Sequence, residues 1–188
     1  MSIVVFNVRR FVDDRGWFAE TFSARRFLNH ATGVSFCQDN YSYSKSNITV
    51  RGLHFQLPPH AQGKLVSCAR GAIFDVAVDI RRGSPTYGQH VSVELSAANG
   101  RQVYIPPGFA HGLMTLEPDT EVSYKVTDFY APECDSGLVW NDTDLNINWP
   151  SPSSAGLLSP KDAALPRFKD FESPFAYDGK PMSLMEAS

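Results

Sequence analysis

Ile73-Phe74-Asp75-Val76-Ala77-Val78-Asp79-Ile80 alternates without a break. Phe74, Val76, Val78 and Ile80 fall on one face, and Ile73, Asp75, Ala77 and Asp79 on the other, which is the period of a β-strand. Gly83-Ser84-Pro85-Thr86 then ends the run. Outward from it, short strands read at Val91–Leu95, Gln102–Ile105 and Val122–Val126, separated by turns such as Ala98-Asn99-Gly100. Short strands at this spacing, with little helical periodicity, predict an all-β sandwich or barrel.

Helix signals are sparse. Ser23 is placed to cap a short helix running through Phe27 and Leu28 and ending near Gly33, and a second reads at Pro160–Ala164. From Pro150 onward the character changes. Pro150, Pro152, Pro160, Pro166, Pro174 and Pro181 argue against strands and for an irregular wrap over the barrel. The expected organisation is a single domain over 1–188, with a barrel core at about 35–150 and a C-terminal wrap at about 151–180. The segment from Pro181 to Ser188 is expected to be loose.

Composition narrows the function. At 188 residues, the chain can bury a core without covalent support. A net charge of −3 and the absence of a basic tract argue against a nucleic-acid polymer as partner. Cys37, Cys68 and Cys134 are odd in number and show no CxxC spacing, so reduced thiols in a cytoplasmic protein are expected. The start, MSIVVFNVRRFVDDRGWF, lacks the pattern of a signal peptide, and no run is long enough to span a bilayer.

The segment from Gly100 to His111, with Pro106 and Gly108 between, reads as strand, Pro-Gly turn, then a histidine opening the next strand. It resembles the second motif of the cupin superfamily, except that Thr115 stands at the terminal Asn position. The first cupin motif resembles Arg51-Gly52-Leu53-His54-Phe55-Gln56, with Gln56 in place of the second histidine and Asp75 too distant for the acidic ligand. His54 and His111 supply two ligands where a divalent ion wants three or four, so a cupin-type jelly roll without bound metal is expected. Gln38, Asn40, Arg51, His54, Gln56, Lys64, His111 and Tyr124 are polar residues in strand-like segments. In a barrel interior they must pair with one another or serve a ligand. Arg51 and Lys64, with Arg15 as a third cation, suggest an anionic one.

Longer stretches carry a second resemblance. DDRGWFAETF (13–22), QDNYSYS (38–44), RGLHFQ (51–56), QGKLVSCARGAIFDVAVDIRRGSPTYG (62–88), IPPGFAHG (105–112), YKVTDFYAPE (124–133), WND (140–142) and LSPKDAALPRFKD (158–170) together resemble the dTDP-4-dehydrorhamnose 3,5-epimerase family. The resemblance implies a cofactor-free epimerase acting on a dTDP-linked 4-keto-6-deoxyhexose. It implies His54 as general base, Asp162 as its orienting carboxylate, Tyr124 as general acid and Lys64 as the cation facing the enolate. Arg51 and His111 resemble contacts to the sugar and diphosphate, and Arg15, Phe18, Glu20, Gln38 and Asn40 resemble contacts on the nucleotide side. Tyr130 resembles the residue that stacks on thymine. Asp135 stands where the family usually has Glu, one methylene longer. The family forms homodimers with N-terminal segments exchanged.

The chemistry fits these residue types. A ketone at C4 acidifies the C3 and C5 hydrogens, a histidine titrating near neutrality suits their removal, and a fixed cation suits the oxyanion. Inversion then needs a donor on the opposite face. Duller readings stand beside these: Lys64 as a charge on a strand edge, Asp162 as a helix cap, Tyr130 packed under the tail, Tyr124 a core aromatic. Competing functions are epimerisation at C3 or C5 alone, a metal-dependent cupin oxygenase, and a non-catalytic sugar-binding barrel.

Overall fold

In the computed structural model, which describes residues 2–31, 33–151 and 156–187, two largely antiparallel sheets face each other as a jelly roll. Pro152 and Ser188, named in the expected wrap and tail, lie outside the described residues. The strands are β1 (Ile3–Asn7), β2 (Phe11–Asp13), β3 (Gly16–Phe18), β4 (Gln38–Ser44), β5 (Val50–Gln56), β6 (Lys64–Arg70) and β7 (Ala72–Asp79). They continue as β8 (His90–Ser96), β9 (Arg101–Ile105), β10 (Phe109–Thr115), β11 (Thr120–Val126), β12 (Asp135–Gly137) and β13 (Leu184–Ala187). One sheet has the order β13-β1-β9-β6-β11-β4, the other β12-β5-β10-β7-β8, and β2-β3 forms a separate hairpin.

The alternating run at 73–80 explains the layering. Ile73 and Ala77 point between the sheets, where they pack with Val66, Val103, Ile105 and Leu113. Val76, Val78 and Ile80 point outward and are equally buried, under Trp140, Trp149 and Phe175 from the chain after β12. The chain from Trp140 to Phe175, the proline-rich wrap included, is therefore a lid of apolar side chains on the five-stranded sheet. The outer face of the six-stranded sheet is covered by α1 (Ala24–Leu28), whose Phe27 packs on Val4, Leu65 and Tyr104.

Two expectations change. The first helix stops at Leu28, short of Gly33, and Ser23 caps it with its backbone carbonyl while its side chain makes no cap bond. The C-terminal segment is not loose: β13 pairs in parallel with β1, and Ala187 is buried. Packing overrides the proline signal here because the stretch after Pro181 carries no further proline and the edge of β1 offers free backbone groups. The tail leading there is also stitched down. Buried Arg81 bonds both oxygens of Asp79 and reaches Asp178 at 2.8 Å and the Lys180 carbonyl at 3.1 Å.

Candidate active site

One end of the space between the sheets is filled by apolar side chains, and the other holds a polar cavity of about 470 Å³. Strand β5 supplies its floor. Strict alternation would put Arg51 and His54 on opposite faces. They share the cavity because β5 carries an extra residue against β10: His111 pairs with His54 but Leu113 pairs with Arg51. This bulge sits at Gly52, whose φ is +115°. A Cβ there would lie 2.6 Å from the His111 carbonyl oxygen, so only glycine lets β5 and β10 approach.

His54 Nε2 lies 2.7 Å from Asp162 Oδ1. Asp162 comes from α2 (Pro160–Ala163), whose N-cap is Ser159, so the Asp162 carboxylate does not cap the helix. Burial raises its pKa, but hydrogen bonds from His54, the Gly52 N–H and Ser159 outweigh burial and hold it below the usual carboxylate value. An ionised Asp162 accepts the Nε2 proton, which leaves Nδ1 as the basic atom of the ring.

Lys64 faces His54 from the opposite sheet, its Nζ donating to the His54 carbonyl at 3.3 Å. It is not on an edge, since β6 is flanked by β9 and β11. Burial pulls its pKa down to about 8, against the counter-pull of Asp75 and Asp135. Tyr124 lies on β11 beside β6 and lines the same cavity. Burial raises its pKa, so the phenol keeps its proton. Gln38 and Asn40 lie on β4, Asn40 directly across from Tyr124, and Gln38 Nε2 donates to Asn40 Oδ1 at 2.8 Å. Arg51 is held by the Ser44 hydroxyl and the Tyr43 carbonyl.

His111 has its own carboxylate, Asp75, at 2.8 Å. Asp75, which in the sequence was only an acid too distant to be a cupin metal ligand, lies on the face of β7 that points between the sheets. Lys161, next to Asp162, also lines the cavity. Its ammonium bonds Asp135 Oδ2, which takes the Tyr130 hydroxyl at 2.9 Å as well. The Tyr130 ring is 57% exposed and so is not packed under the tail. Lys161 carries no signal of its own in the sequence, where a lysine in a short helix reads as a surface charge. Thr115, at the cupin Asn position, accepts from the Thr49 N–H and donates to the Ser46 carbonyl, which is a loop-holding role.

Arg15, Phe18 and Glu20 are not in this cavity. Arg15 pairs with Asp13 on the β2-β3 hairpin, Phe18 is 70% exposed, and Glu20 reaches Arg26. A second, larger groove of about 550 Å³ lies outside the six-stranded sheet beside this segment. It has no histidine among its lining residues, and its charged groups are Arg10, Asp39, Arg101 and Lys125. Among the described residues, no three His, Cys, Asp or Glu side chains cluster as metal ligands, and no helix is long and apolar enough to cross a membrane.

Comparison with known proteins matches this arrangement to one family. A family model described as dTDP-4-dehydrorhamnose 3,5-epimerase covers residues 1–170. A dTDP-4-dehydrorhamnose 3,5-epimerase from Sinorhizobium fredii is 53% identical over 94% of this chain and 90% of its own length. A 3,5-epimerase structure from Legionella pneumophila, in complex with dTDP-4-keto-L-rhamnose, has a TM-score of 0.84 and 44% identity, covering 88% of this chain and 87% of that one. A 3'-monoepimerase from Streptomyces bikiniensis, in complex with dTDP-quinovose, gives 0.80 and 32%, covering 87% and 82%. With two thirds or more of both partners aligned at such identity, the chain belongs to the dTDP-4-dehydrorhamnose 3,5-epimerase family.

Proposed function

We propose that this protein epimerises C3 and C5 of dTDP-4-dehydro-6-deoxy-D-glucose to give dTDP-4-dehydro-L-rhamnose, the step its family performs in rhamnose biosynthesis. The observation that carries the reading is the His54–Asp162 pair facing Lys64 and Tyr124 within one cavity. His54 Nδ1 takes a proton from the carbon beside the ketone, and its positive charge is met by Asp162. The electron pair moves onto O4, where the Lys64 ammonium stabilises the enolate. Tyr124 returns a proton to the opposite face and is recharged from solvent, to which His54 gives up the proton it took before the second carbon reacts. Arg51 brings its guanidinium to the diphosphate, and His111 and Lys161 line the same cavity, bonded to Asp75 and Asp135 respectively. Tyr130 and Asp135, with Gln38 and Asn40, form the nucleotide side.

Arg15, Phe18 and Glu20 complete a partner subunit's site in a cytoplasmic homodimer. Their exposure, and the open groove beside them, support this. The chain works as one unit, because β1 and β13 come from opposite ends and share a sheet with β6 and β11.

Incubation with the 4-keto sugar nucleotide in D₂O tests the reading by NMR. Deuterium is expected at both C3 and C5, and His54→Ala is expected to abolish it. Deuterium at C3 alone would instead match the monoepimerase relative; the higher identity to 3,5-epimerases favours exchange at both.

A further inference from the structure

Gln56 takes no part in the chemistry above, yet it is 4% exposed and fully engaged. It stands two residues from His54 on β5, where a metal-bound cupin would place a second histidine. Its Nε2 donates to the His60 carbonyl at 2.6 Å and the Phe129 carbonyl at 3.1 Å. Its Oε1 accepts from the Ala131 N–H at 2.9 Å. Between those last two partners lies Tyr130, whose own N–H donates to Gln38 Oε1 at 3.2 Å. Three successive residues of the loop after β11, exposed at Phe129 and Tyr130 and buried at Ala131, are thus tied by side-chain amides from barrel strands. The Tyr130 ring they present is largely open, with its hydroxyl anchored on Asp135.

We propose that Gln56 is a positioning residue that fixes the Tyr130 ring relative to His54, so that docking of the nucleobase sets where the sugar meets the base. The inference rests on the epimerase reading, with Tyr130 as the nucleobase platform. One amide sits on the strand carrying the base and holds both flanks of the platform. A ring held this way presents its face at little entropic cost, and a small displacement of it would travel along the substrate to the reacting carbons.

The experiment compares binding of dTDP and inorganic pyrophosphate by calorimetry in wild type, Gln56→Met, Tyr130→Ala and the double variant. Wild type is expected to prefer dTDP strongly. Gln56→Met keeps the volume but loses the three hydrogen bonds, and dTDP affinity is expected to fall on the order of tenfold. Pyrophosphate affinity is expected to stay within about twofold, since the diphosphate cations are untouched. In the double variant the Gln56 effect is expected to vanish, because the ring it positions is gone. Gln56→Glu supplies a second handle: its carboxylate repels two carbonyls when ionised, so its dTDP affinity relative to wild type at the same pH is expected to recover as pH falls and the side chain protonates.

Equal loss of dTDP and pyrophosphate binding, or losses that add in the double variant, would overturn the positioning role and leave the epimerase reading intact. A Gln56→Met protein that melts earlier but keeps the wild-type dTDP preference would do the same. A wild-type protein with no dTDP preference overturns the platform reading and this inference together.

Discussion

Lys64 shows at the scale of one residue how the site trades stability for chemistry. Its ordinary pKa of 10.5 is brought to about 8 by burial. Between those two values the unfolded chain holds a proton that the folded chain has released, so stability rises with pH across that window. Below about pH 8 the folded protein carries the buried ammonium at a cost. Lys64→Met is therefore expected to melt at a higher temperature than wild type at pH 7 while kcat falls by about 10²–10³, the scale of losing an oxyanion donor. The same titration predicts an alkaline limb in kcat/KM of the wild type near pH 8, because on the proposed mechanism the enolate loses its cation there. A flat profile through pH 9 would contradict the role given to Lys64. Much of this was legible in the sequence: a lysine in an alternating strand of a barrel has to face a ligand or an edge. Which of the two applied depended on strand order, which local sequence does not encode.

At the scale of the element, β5 carries the information that alternation could not. Period two groups His54 with Gln56 and would set Arg51 apart from both. The extra residue at Gly52 resets the phase, and Arg51 enters the same cavity as His54. No count of apolar positions reports such a shift, because a bulge is defined by the partner strand, here β10. Gly52→Ala is expected to destabilise the protein by about 1–3 kcal/mol from backbone conformation alone, and by more once the contact with the His111 carbonyl is included. Urea unfolding measures the loss, and substrate exchange by any folded fraction is expected to fall further than stability does. The segment after Pro181 was misread for a related reason: proline content describes what a stretch resists, whereas the edge of β1 decides what it joins.

For the whole molecule, two long-range ties organise function. Arg81, 3% exposed, joins Asp79 to the tail through Asp178. Arg81→Met leaves the Asp79 carboxylate buried without its cation, and a loss of about 3–5 kcal/mol is expected in equilibrium unfolding. The second is the tie between subunits proposed above. Mixing Arg15→Ala chains with His54→Ala chains is expected to restore about a quarter of wild-type activity, since half the dimers are hybrids with one intact site each. No recovery would place Arg15 outside the partner's site. Residues such as Arg15 and Glu20 show where the reading of a single chain stops. Their spacing and type matched the family, but one fold places them on an exposed hairpin segment away from the cavity. The tie between His54 and Asp162 has a consequence in time. The two are separated by 108 positions in the chain, and synthesis proceeds at about 5–20 residues per second. The strand with His54 thus leaves the ribosome roughly 5 to 20 seconds ahead of the Asp162 carboxylate that it bonds. The nascent barrel is born without this pair, and on the proposed mechanism competence to abstract a proton arrives late, as an event of translation.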